Sequence, residues 1–374
     1  MNVVASGAIT DGNDDTAGNN VTAGILTISG DQAVTGIETS VSTLDLATAA
    51  TSITDTEADG VTLTDSELSG QFDLSAKAIE LNTLNAGSNA VSLTATTGAI
   101  RDESEAGTSS ILAASLKVRA ETGISLSTEK DDASDPVQEV AATTREGSLS
   151  IINTGGLRIV TLGDVEGVSI TGGTSPDDAI LLVAKSPIMV DAPITNPFGS
   201  VTLAATAALG EEAVATDNIV VNAIISSGTD ATTTIDLYAG GSITINADAE
   251  LSADTTNLVF STNYDYSDGV ETGTISTGFS GGTLSISDSS TISASIMVSS
   301  AGGEGVSIEN GRLGSDSVTE DYLNAQEPLF NTLDEWSAGD SGALQGSVGL
   351  GEITLDSGEG AEVEIEVEEE EDEK

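Results

Sequence analysis

The chain has 374 residues, with 61 Asp and Glu against ten Lys and Arg, a net charge of -51, and neither histidine nor cysteine. The missing histidine removes a Ser-His-Asp nucleophile system, a His general base and His metal ligands, and the missing cysteine removes thiolate nucleophiles, zinc–thiolate sites and disulfides. The charge argues against a nucleic-acid partner, because gripping a phosphate backbone takes a basic footprint that ten scattered cations do not make.

Aromatic residues make up 3% of the chain, so a core has to be built from Ala, Val, Ile and Leu. That suits a thin, uniform interior better than a round one, whose bulk comes largely from aromatic and long side chains. Disordered chains are also acidic and poor in aromatics, but they lack the regular alternation of Ile and Val that this chain keeps almost to its end. No apolar run approaches the ~20 residues that span a bilayer, and the opening MNVVASGAITDGNDD has neither the basic nor the apolar region of a signal peptide.

From Met1 onward the text reads SGAITDG and, after a gap, ILTISGDQAVTGI; from Thr97 to Ile124 it reads TGAIRDESEAGTSSILAASLKVRAETGI. Setting Gly7-Ala8-Ile9 on Gly98-Ala99-Ile100 brings Ile25-Leu26-Thr27-Ile28 onto Ser115-Leu116-Lys117-Val118 and Thr35-Gly36-Ile37 onto Thr122-Gly123-Ile124. This is an internal repeat, and repeats constrain the fold before any other argument. Within the first copy, Asp11, Asn13 and Asp15 alternate like the opening of a calcium loop, the only cofactor that the sequence suggests. Thr16 stands where that loop needs its sharp glycine and Thr22 where it needs a bidentate Glu, so a conformational turn is the competing reading.

Strand candidates follow at VTLT (Val61 to Thr64), FDLSA (Phe72 to Ala76) and VSLTA (Val91 to Ala95). Between Glu146 and Asn246 one phrase keeps returning: GSLSI from Gly147, GLRIV from Gly156, GVSITGG from Gly167, GSVTLAA from Gly199 and GGSITIN from Gly240. Each is a glycine turn and then a period-two alternation of apolar and small or polar side chains, the pattern of a half-buried strand. No stretch has helical periodicity.

A β-sandwich array would bury a large residue, often Trp, in each module of about 100 residues. A solenoid winds one short strand per face and wants Val, Ile, Leu and Ala inside. The single Trp, Trp336, falls outside the repetitive body, which favours the solenoid and leaves tandem sandwich modules as the alternative. The predicted organisation is a repetitive solenoid over residues 1–310, a capping segment over 311–357 and an acidic disordered tail over 358–374. Coils of about 20 residues are expected. Val201 and Leu203 should point inward, Thr202 and Ala204 outward.

Further on, Asn263, Asp265 and Asp268 before Gly269 make a second weak calcium candidate, and GGEGVSIEN (Gly302 to Asn310) starts like a calcium-binding nonapeptide. Ser307 and Glu309 replace its ligand and its inward apolar residue, leaving a turn and a strand. Tyr322, Leu323, Leu329, Phe330, Leu333 and Trp336 gather near the end, as expected of a cap that shields the last coil, or of a docking patch. Ten acidic residues between Glu359 and Glu373 then form a self-repelling tail. Paired carboxylates could run glycoside hydrolysis, but nothing selects one pair among 61 acids. No catalytic residue is assigned.

The phrases INTGGLRIVTLGDVEGVSITGG (Ile152 to Gly173), KSPIMVDAPITNPFGSVTLAA (Lys185 to Ala205) and TTGAIRD with its partner SGAITDG resemble the long strand-repeat surface proteins of bacteria, the filamentous-haemagglutinin and autotransporter-type adhesins. The resemblance covers most of residues 1–310 and rests on repeat phrasing. It implies a right-handed parallel β-helix, export to the bacterial cell surface, and attachment to a host, neighbouring-cell or matrix surface, carbohydrate or protein. It further implies that the chain is a piece of a larger adhesin. The two alternatives are a carbohydrate-active β-helix enzyme and a calcium-stiffened stalk.

Overall fold

The computed structural model describes residues 1–11, 18–102, 110–128, 137–184, 187–205, 217–228, 233–246 and 249–262, together with the backbone of separate strands between 284 and 356. All regular structure among these residues is β. The chain winds so that every coil lays a strand in parallel on the strand of the coil before it. One such face carries Val61, Ile79, Ile100, Ile124, Leu149, Ile180, Val201 and Ile235 in a single continuous ladder.

Two more faces complete each coil. Leu157, Ile188, Ile219 and Ile243 stack on the second, and Val168, Ile194, Ile225 and Leu251 on the third. The chain visits the faces in fixed order, as in Leu149–Asn153, Leu157–Ile159 and Val168–Ile170, and then returns to the first face at Ile180–Ala184. Along the first-face ladder just named, coils range from 18 residues (Val61 to Ile79) to 34 (Val201 to Ile235), so the expected period of about 20 holds only for the shorter ones. At about 4.8 Å per rung the described stack is on the order of 50 Å tall.

Parallel pairing decides between the two architectures. A sandwich needs antiparallel sheets facing each other. Among the described residues antiparallel pairing is confined to the hairpin of Thr161–Leu162 with Val165–Glu166, to Phe330–Thr332 on Ser299–Ala301, and to Glu335–Ser337 with Ala343–Gln345. The fold is an all-β, solenoid-like stack. Of the proposed capping residues, only the backbone at Phe330 and Trp336 falls in these strands; Tyr322, Leu323, Leu329, Leu333 and the acidic tail lie outside the described residues.

The alternation works as the sequence suggests. Val201 and Leu203 are fully buried, as are Leu149, Ile151, Ile180, Leu182, Ile235 and Leu237 above and below them. Burying each such side chain contributes about 1.5–3 kcal/mol. Among the described residues Phe72 is the one aromatic side chain that is fully buried, consistent with a narrow interior. Some of the glycines that open the repeated phrases are required by an adjacent coil. Gly167 has φ +59°, and a Cβ there would sit 1.9 Å from the Pro193 carbonyl oxygen; Gly147, at φ +75°, faces the Thr122 carbonyl at 2.7 Å in the same way.

Where the chain turns a corner, backbone groups leave the ladder and need other partners. Asn196, fully buried, supplies them: its Nδ2 donates to the carbonyls of Asp178 (2.8 Å) and Ser200 (3.0 Å), while its Oδ1 accepts from the N–H groups of Phe198 and Gly199. Buried Asn153 plays the same part with the carbonyls of Val137, Gly155 and Gly156, each 3.0 Å away. Asp55 closes an earlier corner by accepting from the Thr39 hydroxyl and the Val41 and Glu57 N–H groups.

One expectation needs amending. Ala204 does take the outward register, in line with Val183 and Tyr238, yet it is completely buried. Those two neighbours pack over it and form a small apolar cluster outside the main core. A methyl group between two larger side chains 4.8 Å away on either side is easily covered.

Candidate functional surface

With the interior filled by side chains, chemistry is left to the outward rows. On the first face that row runs Glu80, Arg101, Ser125, Ser150, Leu181, Thr202 and Asp236. The third face offers Thr94, Arg119, Thr143, Ser169 and Thr195. Hydroxyl-bearing side chains make up four of the five on the third face, as the alternation of Ser and Thr in the sequence implied, but only three of the seven on the first, which also carries charged residues and Leu181.

Of the ten basic residues, Arg101, Lys117, Arg119, Arg145 and Arg158 are described residues of the middle coils. Four of them are tied to carboxylates. Lys117 and Arg119 converge on Asp164 at 3.6 and 2.8 Å, and Arg119 also donates to the Asp164 carbonyl. Asp164 is at the tip of the hairpin Thr161–Glu166, which folds back over the strand Val137–Thr144. Val165 of the hairpin and the outward Ala141 are both buried there, away from the main core. Sequence reasoning missed this arm, although Leu162-Gly163-Asp164-Val165 carries a two-residue hairpin signal and Gly163 has φ +62°.

Arg158 anchors a polar ladder on the second face. Its guanidinium bonds Asp191 and reaches Glu139 at 3.5 Å; Asn222 Nδ2 donates to the other Asp191 oxygen, and Asn246 Nδ2 donates to Asn222 at 2.6 Å. Partial burial alone would raise the Asp191 carboxyl, but the Asn222 amide and the Arg158 guanidinium together hold it below the usual carboxylate range. The same contact, chiefly the hydrogen bond, raises the Arg158 guanidinium above its ordinary value. Arg145 is raised likewise, first by its hydrogen bond to Glu121 and then by the charges of Glu121 and Glu146.

Arg101 differs. Glu80 is its neighbour one rung down, but that carboxylate accepts from the Thr62 hydroxyl, on the rung beyond, at 3.4 Å. Among the described residues no carboxylate lies within ion-pair distance of Arg101. Beside it, the serines at 125, 148 and 150 are short enough to leave a groove of about 420 Å³, lined also by Thr122, Gly123 and Ile124.

Of the calcium candidates, only Asp11 is among the described residues, and it accepts a hydrogen bond from Asn20 Nδ2 at 2.9 Å. Asn13 and Asp15 lie outside them, as do Asn263, Asp265 and Asp268. No group of three or more metal-ligating side chains comes together among the described residues, and no helix among them is long and apolar enough to cross a membrane. Comparison with family models, with curated proteins and with solved structures returns no match.

Proposed function

We propose that this chain is a structural or adhesive section of a bacterial surface adhesin, wound as a right-handed parallel β-helix and working outside the cell. The observation that carries the reading is the division of labour along the described coils: an apolar inner row holds the stack, and polar side chains, many of them Ser and Thr, recur on its outer wall. Such a wall offers many equivalent weak contacts in register, so attachment would come from multivalency and not from one tight site. The net charge of -51 keeps copies apart in solution.

The test is an adhesion assay. Beads coated with the chain should be retained on host-cell, bacterial or extracellular-matrix layers more strongly than beads carrying an unrelated protein of matched charge. Retention should rise steeply with coating density. Equal retention of the two bead types on every surface refutes the reading, and so does depolymerisation of a polysaccharide layer by the chain, which would make it an enzyme instead. A calcium-dependent shift in its thermal melt would point to the stalk alternative.

A further inference from the structure

The groove beside Arg101 brings together a guanidinium with no carboxylate partner among the described residues and the hydroxyls of Thr122, Ser125 and Ser150, all on the outer wall. Ser148 also lines it, but its hydroxyl is engaged by the Asp177 carbonyl and the Ala179 N–H. We propose that this groove binds one carboxylate-bearing sugar unit, a uronate. The carboxylate takes the Arg101 fork, and the ring hydroxyls exchange hydrogen bonds with Ser125, Ser150 and Thr122.

Three observations narrow the ligand to that class. The planar guanidinium matches a carboxylate in two parallel hydrogen bonds, and its described neighbours offer no competing anion at bonding distance. The rest of the lining is hydroxylic apart from Gly123 and Ile124, which suits a sugar ring that carries hydroxyls on its rim and an apolar C–H face. The surroundings select for a single negative charge. Glu80 and Asp102 are close by in the strands, Glu121 and Glu146 border the corner, and the whole chain is strongly acidic, so phosphate dianions and polysulfates are repelled. A volume of about 420 Å³ falls at the lower end of the ~300–1,000 Å³ typical of small-molecule sites.

The proposal names a chemical class for the surface contact suggested above and rests on that reading for its biological role, though not for the binding itself. The experiment is NMR titration of the full chain with methyl β-D-glucuronide, with methyl β-D-glucoside as the neutral control. The glucuronide should shift the amides around Arg101, Ser125 and Ser150, and the glucoside should bind at least tenfold more weakly. Arg101→Gln should weaken glucuronide binding about tenfold or more, Arg101→Lys should restore part of it, and Lys117→Gln, on another face, should change nothing. Arg101 is exposed, so these variants keep the fold, which circular dichroism verifies. Equal binding of the two sugars, shifts centred elsewhere, an unaffected Arg101→Gln variant, or no shift at tens of millimolar glucuronide overturns the proposal. Bead adhesion separates the two ideas. Adhesion without glucuronide binding leaves the surface reading standing and removes the groove; glucuronide binding without adhesion does the reverse.

Discussion

Replacing Leu203 by alanine tests the stacked interior most directly. Leu203 is fully buried between Leu182 on the coil below and Leu237 on the coil above. Its truncation removes roughly three methylene equivalents at ~0.8 kcal/mol each, about 2.4 kcal/mol of transfer energy. A cavity term adds to that, because the flanking strands are held in register by the ladder and cannot collapse into the space; the total should be about 3–4 kcal/mol, within the usual 2–5 for buried leucine. Thr202→Ala, one residue away on the outer wall, should cost within ~0.5 kcal/mol. Urea melts followed by far-UV circular dichroism measure the difference. Amide exchange adds its location, since coils touch only their neighbours and the lost protection should centre on the strands Ile180–Ala184 and Thr234–Ala239. A difference under about 1 kcal/mol between the two variants would refute an interior built from this row.

Asn196→Ala should lower stability by about 2–3 kcal/mol, because it removes the side-chain partner of the Asp178 carbonyl and of the Phe198 and Gly199 N–H groups, while the Ser200 carbonyl keeps the Ile180 N–H; Asn222→Ala on the wall should cost far less, and thermal melts compare the two. Acid should also act through Asp191. Its carboxyl is depressed in the folded chain, so its contribution is complete above the ordinary value of 3.8 and is lost as pH falls through the lower folded value. Melts of wild type and Asp191→Asn should therefore differ most at pH 5 and converge toward pH 2; a gap that widens as pH falls contradicts the assignment.

Much of the interior was legible from alternation alone. The inward positions at Leu149 and Ile151, Val201 and Leu203, Ile235 and Leu237, and Ile243 and Ile245 follow from period two and a glycine turn. What alternation does not encode is which face a strand joins. The internal repeat set Ile9 on Ile100, yet Ile9 pairs with Val34 on the third face and Ile100 with Ile79 and Ile124 on the first. The aligned Leu26 and Leu116 are likewise separated, one stacking on Leu44 and the other on Val91. All three faces ask for the same residues, so a repeated phrase fixes a strand without fixing its wall.

The outer features were hidden for a different reason. Arg101, Lys117 and Arg119 are far from Asp164 and Ser150 in sequence, and only the coil register decides which of them meet. Lys117 and Arg119 find Asp164 because a hairpin reaches back across a coil, while Arg101 is left facing short serines. The covered Ala204 has the same origin, since its burial depends on a valine and a tyrosine one coil away on either side.

The unequal coils carry a lesson about change. Between Val201 and Ile235 the chain spends 34 residues where Val61 to Ile79 needs only 18, and the rungs still meet in register. The surplus falls in sequence between the described strands, so insertions and deletions there should leave the hydrogen-bonded walls as they were. A lineage could therefore vary the segments between strands while conserving the column that carries them, and an engineer could splice an epitope at the same points in the chain.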